Sequence, residues 1–242
     1  MKIGITCGFN AKENQIVLNK AYIEFAKSGA IRHQHRECSI DILYPTMNIE
    51  SANIPSYDML IFSGGPDINP ILYGRSTIEA DKCDFERDLF ELKLLDIAFK
   101  NKIPTLGICR GAQMMGIYFG TSLKQDIDSH SQPHKREVPS HPIILNRLGK
   151  EILHTIGGEC LVNSMHHQCV NLCVGEKNVS KFKDSTWGNE KLSVVGIAQD
   201  GVCEMFISKE FPKFLGVQWH EEELSKYNYG HSEAIFNYLL KE

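Results

Sequence analysis

The sequence predicts an α/β fold: a single three-layer domain with a mostly parallel central sheet, helices on both faces, a nucleophile elbow and additional short antiparallel strands. Over the first 120 residues, short apolar runs bounded by turn residues alternate with amphipathic segments, a pattern typical of a parallel sheet flanked by helices. Short strands then follow one another without a linker, a repeat or a low-complexity segment. We therefore assign residues 1–242 to one domain.

The first half contains four predicted strands and three predicted helices. Apolar, β-branched runs predict strands at residues 2–7, 39–44, 58–62 and 104–108. Apolar residues at helical spacing predict helices at 16–28, 86–101 and 110–119, and Gly29 is a candidate end for the first of these. The third helix follows the fourth strand at once, and Ser63-Gly64-Gly65-Pro66 breaks the chain after the third strand.

The second half predicts shorter strands joined by turns. They lie at residues 122–127, 141–145, 160–163, 192–199 and 202–208. Asp200-Gly201 predicts a hairpin between the last two. Residues 214–219 predict a central strand and residues 231–241 a C-terminal helix, whereas the polar stretches 125–140 and 176–191 predict loops near a functional face.

Composition and charge narrow the class of partners. The 242 residues carry 26 Lys and Arg against 30 Asp and Glu, a formal net charge of −4, and no long basic block, so we expect no nucleic-acid or membrane partner. No Gly-rich phosphate loop occurs, and we expect no cofactor. Because the sequence shows neither a signal peptide nor an apolar run of about 18 residues, we expect a cytoplasmic protein whose eight cysteines are reduced.

One segment places a cysteine at the corner between a strand and a helix. Gly107 and Gly111 flank Cys109 with the spacing of a nucleophile elbow. Small neighbours let strand and helix close on each other around a strained corner residue. The positive end of the helix favours a thiolate, and the free N–H groups of its first turn suit an oxyanion. The competing interpretation is a cysteine buried after a core strand.

A nucleophilic thiol needs a base, and the base needs a group that orients it. His220 directly follows the apolar strand at 214–219, so it should emerge at the carboxyl end of the sheet, where ligands bind in α/β folds. Glu222 lies two residues on and points the same way in an extended chain. Taken alone, one histidine near two glutamates is also typical of a solvated loop.

Together these motifs resemble the class I glutamine amidotransferase-like superfamily. The elbow Gly-Ile-Cys-Arg-Gly-x-Gln, and Gly-Val-Gln-Trp-His-x-Glu about a hundred residues later, carry the resemblance. The match is nearer to the free-standing gamma-glutamyl hydrolase branch, typified by gamma-glutamyl-gamma-aminobutyrate hydrolase. Collinear segments that agree with this branch begin at Ser63, Arg87, Ser122, Val162 and Asp200, whereas residues 9–57 match weakly.

The resemblance implies a catalytic triad of Cys109, His220 and Glu222 that cleaves a gamma-glutamyl amide through a glutamyl thioester. It implies an oxyanion hole made by the backbone N–H groups of Gly65 and Arg110. Its implied substrate contacts are Gln113, His166, His167 and Arg87. The family usually has His-Pro-Glu at the base; here Glu221 replaces the proline, which leaves open which glutamate orients His220, and spacing favours Glu222.

The remaining polar residues suggest no metal site, and we expect none. Adjacent His166 and His167 with nearby Cys169 are poorly spaced for zinc, and Cys169-x3-Cys173 lacks the usual spacing of a cysteine pair. The other histidines of the probable loop are expected to be solvated: His130, His134 and His141. Asp67 is expected to cap the following chain or to pin the oxyanion loop.

Three functions remain open on the sequence. The first is a self-sufficient hydrolase of a small-molecule gamma-glutamyl substrate, whose leaving group is an amine such as gamma-aminobutyrate or a nucleotide-linked amidate such as that of gamma-glutamyl-CDP-amidate. If the leaving group is nucleotide-linked, the candidate phosphate contacts are Arg32, His33, His35 and Arg36. The second function is a glutaminase subunit that supplies ammonia to a partner synthase, and the third is a catalytically silent binding protein. A homodimer is the candidate assembly.

Overall fold

The structure of the protein is a computed structural model. It describes residues 1–10, 13, 15–32, 37–49, 53–76, 82–132, 135–155, 159–227 and 230–241. The strands are, in chain order, β1 (Lys2–Thr6), β2 (Gly8–Asn10), β3 (Gln15–Val17), β4 (Ser39–Leu43), β5 (Met59–Phe62), β6 (Thr105–Ile108), β7 (Leu123–Lys124), β8 (His141–Leu145), β9 (Glu159–Val162), β10 (Cys169–Val170), β11 (Trp187–Gly188), β12 (Leu192–Ala198), β13 (Cys203–Ser208) and β14 (Phe214–Val217). The helices are α1 (Lys20–Arg32), α2 (Phe85–Lys100), α3 (Arg110–Tyr118), α4 (Arg147–Leu153), α5 (Glu221–Leu224) and α6 (Ser232–Leu240).

Five strands form the parallel half of the central sheet, in the order β4-β1-β5-β6-β14. They are rich in Ile, Leu, Val and Phe because both faces of a parallel sheet are covered by helices. Parallel strands all end at the same edge of a sheet. The residues that follow β5, β6 and β14 therefore meet at one place, and those residues include Ser63, Cys109 and His220.

The sheet continues beyond β14 as antiparallel strands in the order β13-β12-β8-β9, with β11 paired to β12. Two smaller pairs lie outside it among the described residues. One is the β2–β3 hairpin, which follows β1, and the other joins β7 to β10. The predicted hairpin at Asp200-Gly201 is confirmed, since β12 and β13 pair around this turn and Gly201 has a left-handed backbone (φ 85°).

Helices cover both faces of the sheet. On one face, α2 and α3 bury side chains such as Leu94 and Met115 against Phe206 of the sheet. On the other face, α1, α4 and α6 form a second apolar layer that includes Phe25, Ile152 and Phe236. Each fully buried side chain of this size is worth about 2–5 kcal/mol against truncation to alanine, so the sheet is a rigid base for its carboxyl edge.

The predicted fold class is confirmed, and most predicted elements differ from the observed ones by one or two residues at their ends. The prediction of a helix over residues 16–28 is wrong in its bounds. Residues Gln15–Val17 form β3, and α1 begins at Lys20, after Asn19, whose Oδ1 accepts from the N–H of Ala21 at 2.9 Å. Gly29 does not end the helix; a Cβ there would lie 2.4 Å from the Phe236 ring, so this glycine permits close packing.

Other differences fall in the second half. The strand predicted at 122–127 is only Leu123–Lys124, because the chain then turns to form the irregular segment beside the site. The predicted loop 176–191 contains a 3-10 helix, Glu176–Asp184. Helix α4 was not predicted; Asn146 begins it by accepting from the N–H of Gly149 at 2.9 Å. In the described part of the chain, no helix combines the length and the apolar character needed to cross a bilayer.

Candidate active site

Cys109 lies at the corner between β6 and α3, as the elbow motif predicts. Its backbone is strained, with φ 52° and ψ −108°, values that a non-glycine residue rarely adopts. The glycines on either side make this corner sterically accessible: a Cβ at Gly107 would lie 2.4 Å from Met115 Sδ, and one at Gly111 would lie 2.0 Å from the Phe62 carbonyl oxygen. The thiol is held at the edge of the sheet and is only 6 % exposed.

His220 and Glu222, the candidate base and orienting group, lie beside this thiol. His220 Nδ1 lies 2.6 Å from Glu222 Oε1, so the glutamate fixes the tautomer that leaves Nε2 for the thiol. The ring is close enough to Cys109 to interact with it electrostatically. Burial alone would lower the pKa of His220, but the Glu222 carboxylate and Cys109 raise it to about 10. The structure thus brings together the three residues that the sequence singles out.

Glu221 is engaged by Trp219 and not by the His220 ring. Glu221 is the first residue of the short helix α5, and its side chain is fully buried. Its Oε2 accepts a hydrogen bond from Trp219 Nε1 at 2.8 Å. Burial raises the pKa of Glu221 to about 8, although the Trp219 hydrogen bond opposes this shift. Of the two glutamates, it is therefore Glu222 that contacts the His220 ring.

The raised pKa of Glu221 predicts a pH-dependent stability difference. The folded state binds more protons here than the unfolded state between the ordinary glutamate value of 4.5 and about 8, so stability falls as pH rises through that window. Glu221→Gln removes this loss, because glutamine stays neutral and its oxygen still accepts from Trp219. We expect urea denaturation to show a stability advantage of the variant that grows by about 1.4 kcal/mol per pH unit across the window.

A matched control is Glu233→Gln, which changes an exposed glutamate in the first turn of α6. It should leave the pH profile of the wild type unchanged. Parallel profiles of Glu221→Gln and the wild type would contradict the buried, neutral state of Glu221.

The loop Ser63-Gly64-Gly65 lies over a buried network of four charges. Arg87 Nη2 donates to the carbonyl oxygens of Ser63 and Gly64, each at 3.0 Å. The network itself consists of Arg87, Asp88, Glu91 and Arg110, two cations and two anions that are each at most 2 % exposed. Ion pairs so deeply buried are costly unless their groups are paired, so Arg87 is held firmly by its partners in the network. Because Arg87 also binds the two loop carbonyls, the network fixes the position of the loop.

Gly65 and Arg110, whose N–H groups the resemblance assigns to an oxyanion hole, lie in the loop after β5 and at the start of α3. Arg110 is the first residue of α3, so its N–H has no partner within the helix. Gly65 lies directly above the network, where a Cβ would come 2.3 Å from Arg87 Nη1 and 3.2 Å from Arg110 Cδ. Only glycine allows the backbone this close approach. The side chain of Arg110 is committed to Glu91 and Asp88, so any contribution to an oxyanion comes from its backbone.

The predicted substrate contacts occupy different surroundings. Gln113 donates to the Gln168 carbonyl oxygen at 2.9 Å and to Gln218 Oε1 at 3.3 Å, and Gln218 Nε2 lies 3.6 Å from Cys109 Sγ. His167 is partly exposed, and its Nε2 lies 3.0 Å from Asp67 Oδ2, so Asp67 ties the loop after β5 to the His167 segment. These contacts keep both segments close to the nucleophile.

Two predicted contacts instead have supporting positions. Arg87 reaches the wall of a cavity that opens beside His220. Its Nε is engaged by Glu91 and its Nη2 by the loop carbonyls, so Arg87 holds the loop. His166 is buried beside Glu204, 3.6 Å from its Oε1, and does not line the cavity. The contact with Glu204 places His166 away from the cavity. Glu204 is a buried carboxylate, and the sequence gives no sign that it contacts His166.

The expectation of solvated histidines is wrong for His130, which is 4 % exposed. Its ring packs against those of His141 and His166, with centroids 5.2 and 4.8 Å away. His134 lies outside the described residues, as do His33, His35 and Arg36. Arg32 ends α1 and lies 3.3 Å from Ser232 Oγ; it does not line the cavity, because the opposite end of α1 faces the site.

A cavity of about 370 Å³ opens beside His220. Its walls come from the β2–β3 hairpin, the start of α1, the glycine loop and a polar segment before β8. The lining includes Phe9, Val17, Leu18, Asn19, Gly64, Gly65, Arg136 and His220. Arg136 Nη2 lies 3.3 Å from His220 Nδ1 and Nε lies 3.3 Å from Glu223 Oε1, and 48 % of its side chain is exposed.

Sequence reasoning missed several residues that shape this site. Asn163 holds the backbone of His220 at both ends, accepting from its N–H at 2.8 Å and donating to its carbonyl oxygen at 3.0 Å. The Tyr22 hydroxyl accepts from the N–H of Gly64 at 2.8 Å. Arg136 comes from a polar stretch expected to be a loop. Only Asn163 had a sequence signal, since it lies in a segment that agrees with the resembled family.

Comparison with known proteins places the chain in a family. The profile of Peptidase C26 matches residues 2–222. A gamma-glutamyl-gamma-aminobutyrate hydrolase of Escherichia coli O157:H7 is 31 % identical over 198 residues, which cover 76 % of this chain and 70 % of that protein.

Solved structures share the fold at low identity. The glutaminase domain of Trypanosoma brucei CTPS with bound acivicin superposes with a TM-score of 0.64 at 12 % identity, covering 99 % of this chain and 93 % of that one. A glutamine amidotransferase from Thermotoga maritima gives 0.61 at 14 %, covering 100 % and 98 %. Since the matched profile extends from the first strand through the Ser63-Gly64-Gly65 loop and the elbow to Glu222, the chain belongs to the Peptidase C26 family.

Proposed function

We propose that the protein is a cysteine hydrolase that cleaves the amide bond of a small gamma-glutamyl compound and releases glutamate. One observation carries the proposal: a cysteine at a strained elbow interacts electrostatically with a histidine whose Nδ1 is 2.6 Å from a buried glutamate. Family membership and the 31 % identical gamma-glutamyl-gamma-aminobutyrate hydrolase support the substrate class.

In the proposed reaction, the Cys109 thiolate attacks the gamma-carbonyl carbon of the substrate. The oxyanion that forms accepts hydrogen bonds from the backbone N–H groups of Gly65 and Arg110. His220, having taken the thiol proton, gives it to the leaving nitrogen as the carbon–nitrogen bond breaks. The product is an amine and a glutamyl thioester on Cys109.

Hydrolysis of the thioester completes the cycle. His220 removes a proton from water, which attacks the thioester carbonyl, and the thiolate leaves as glutamate is released. Glu222 keeps the imidazole in one orientation through both steps. Eight free cysteines suit a reducing compartment, and we propose a cytoplasmic location on that ground.

The cavity beside His220 suits the leaving group, because His220 is the residue that protonates the leaving nitrogen. Its walls include the apolar Phe9, Val17 and Leu18, while Arg136 carries an exposed guanidinium at its rim. Apolar walls and one accessible cation fit an aliphatic amine that ends in a carboxylate, as in gamma-aminobutyrate. We therefore favour this leaving group over a nucleotide-linked one.

The substrate class is tested by glutamate release from a panel. Purified protein is given gamma-glutamyl-gamma-aminobutyrate, glutamine and gamma-glutamyl-CDP-amidate, and free glutamate is measured. We expect the first to have the highest kcat/KM without any added protein. If glutamate is released only from glutamine, and only when a synthase partner is present, the protein is a glutaminase subunit and not a self-sufficient hydrolase. Absence of release from every substrate would contradict the proposal.

Arg136→Gln tests the leaving-group site. A charge-assisted hydrogen bond contributes about 1.5–3 kcal/mol, so we expect KM for gamma-glutamyl-gamma-aminobutyrate to rise by about tenfold or more. KM for the neutral analogue gamma-glutamylbutylamine should stay unchanged. Because Arg136 also approaches His220, the informative quantity is the ratio of the two KM values, in which any general effect cancels.

The matched control is Arg147→Gln, which removes a 92 % exposed arginine on α4. It should leave the ratio at its wild-type value. An unchanged ratio in Arg136→Gln as well would remove the carboxylate contact from the proposed function, while leaving the cleavage chemistry intact.

A further inference from the structure

A second cluster of functional side chains lies behind the active site. Glu204 of β13 is fully buried, and three imidazoles converge on its Oε1. The distances from this oxygen are 3.3 Å to His130 Nδ1, 3.6 Å to His166 Nε2 and 3.8 Å to His141 Nε2. The histidines come from three separate segments of the chain, so this convergence is a property of the fold and not of any local motif.

The other ring nitrogen of each histidine faces an oxygen. The contacts are His130 Nε2 to Asp200 Oδ2 at 3.0 Å, His141 Nδ1 to the Pro142 carbonyl oxygen at 3.2 Å and His166 Nδ1 to the Gln168 carbonyl oxygen at 3.1 Å. Carbonyl and carboxylate oxygens accept hydrogen bonds, so these outer nitrogens carry the protons. The inner nitrogens face the Glu204 carboxylate and are the atoms that a metal ion would take as ligands. Burial lowers the pKa of His130, but the Asp200 and Glu204 carboxylates on either side raise it to about 9, so its inner nitrogen carries a proton when no ion is bound.

The inner atoms make few well-aligned hydrogen bonds among the described residues. Both carboxylate oxygens of Glu204 and Nε2 of His141 are buried without a hydrogen-bond partner there. Ser164 Oγ lies 3.3 Å from the inner nitrogens of His130 and His166, but its hydrogen is directed to the His130 carbonyl oxygen at 2.7 Å. A buried carboxylate is costly unless protons or positive charge face it, and a metal ion bound among these atoms would take the place of the His130 proton in that role.

We propose that His130, His141 and Glu204, with His166 as the neighbouring fourth donor, bind a divalent transition-metal ion of the zinc type. The ligand atoms of the first three residues all lie within 4.8 Å of one another. In a tetrahedral zinc site with bonds of about 2.0–2.1 Å, neighbouring ligand atoms are about 3.3 Å apart, so a small inward movement completes the site. Imidazole nitrogen and carboxylate oxygen are both ligands that zinc accepts.

The outer contacts have the form of a metal site's supporting shell. A histidine ligand commonly donates its second N–H to a carboxylate or a backbone carbonyl, which fixes the tautomer and the ring orientation. Asp200, Pro142 and Gln168 supply such acceptors. Access from solvent exists along His141, whose side chain is 21 % exposed, and past Asp200, which is 49 % exposed.

The position of the cluster gives the ion a supporting role. The Gln168 carbonyl oxygen accepts from both His166 and Gln113, and Gln113 in turn contacts Gln218 beside Cys109. The backbone N–H of Gln218 also donates to the Glu204 carbonyl oxygen at 2.8 Å. An ion at Glu204 would thus fasten the segment that carries His166 to the strand that leads to His220.

The test is direct metal binding to the whole protein. Protein freed of metal with a chelator is titrated with Zn²⁺ and, separately, with Co²⁺, while bound metal and Tm are measured. We expect one equivalent of Zn²⁺ to bind and Tm to rise. Co²⁺ should give the absorption of a tetrahedral site without a thiolate-to-metal charge-transfer band. Wild type that binds no more Zn²⁺ than Glu204→Gln would show that protons, not a metal, neutralise the cluster.

Two further variants keep the test decisive if Glu204→Gln does not fold. Asp200→Asn keeps the turn but weakens the contact to His130, and it should reduce Zn²⁺ affinity by about tenfold. His141→Gln should abolish tight binding. The controls His154→Asn, at the exposed end of α4, and Cys173→Ser should bind Zn²⁺ like the wild type. Loss of binding in Cys173→Ser alone would place the metal on the thiols of Cys169 and Cys173, which lie 3.6 Å apart, and would overturn the proposal.

Discussion

Cys109→Ala should abolish glutamate release. The thiol is the proposed nucleophile, and removal of the nucleophile from a triad costs about 10⁴-fold or more in kcat. The variant should remain folded, because the strain at φ 52° belongs to the backbone, and alanine removes only the sulfur atom and leaves a small space at the site. The measurement is glutamate formed from gamma-glutamyl-gamma-aminobutyrate, with Tm recorded on the same sample.

The matched control is Cys38→Ala. Cys38 is partly exposed and lies just before β4, at the opposite end of the parallel sheet from the site. It should retain the wild-type kcat, and iodoacetamide should label the wild-type protein at Cys109 well before Cys38. Appreciable glutamate release by Cys109→Ala, with the fold intact, would mean that another group attacks the substrate.

Glu222→Gln should lower kcat by about 10²–10⁴-fold and should also move the pH profile. In the wild type the Glu222 carboxylate helps to raise the pKa of His220 to about 10, so His220 stays protonated, ready to donate to the leaving nitrogen, over a wide range of pH. Glutamine removes that charge, and the His220 pKa falls toward its ordinary value of 6.5. The alkaline limb of the kcat profile should therefore shift to lower pH in the variant.

The neighbouring variant Glu221→Gln is the control for this effect. Both glutamates are buried, but only Glu222 contacts the His220 ring. Glu221→Gln should keep the wild-type kcat and alkaline limb. If Glu221→Gln shifts the limb and Glu222→Gln does not, the roles of the two residues are exchanged. The raised pKa of His220 also stabilises the folded state below pH 6.5, and this contribution is lost as pH rises through about 10.

The features that were predicted from the sequence are those fixed by a short stretch of chain. The elbow follows from Gly107, Cys109 and Gly111, because a strand that enters a helix without a loop leaves one geometry for the corner. His220 and Glu222 follow from two-residue spacing at the end of a strand. The alternation of strands and helices likewise depends on local patterns, and it gave the fold class.

Features that depend on distant parts of the chain were not predictable in this way. Arg136 enters the cavity from a polar segment whose own pattern indicates only a loop. The burial of His130 depends on Glu204, which is 74 residues further along the chain and on the inner face of a strand. Arg87 and Glu91 share a helix face, as an exposed ion pair would, but Arg110 brings them into a buried network.

The start of α1 shows the same limit at the level of secondary structure. Ile16 and Val17 continue the apolar pattern of the helix, yet they pair with Gly8 and Phe9 as the second strand of a hairpin. Helical and extended patterns are hard to separate over so few residues, and here tertiary pairing decides. That hairpin forms one wall of the cavity beside His220, so the error in the predicted element concerned a part of the site itself.

The most direct test of the proposed chemistry is to trap the covalent intermediate. Wild-type protein turning over gamma-glutamyl-gamma-aminobutyrate is quenched rapidly in acid, digested and analysed by mass spectrometry. We expect one glutamyl group on the peptide that contains Cys109, lost on treatment with hydroxylamine as a thioester is. Continued glutamate release with no adduct on Cys109, or an adduct on any other residue, would contradict hydrolysis by the triad of Cys109, His220 and Glu222.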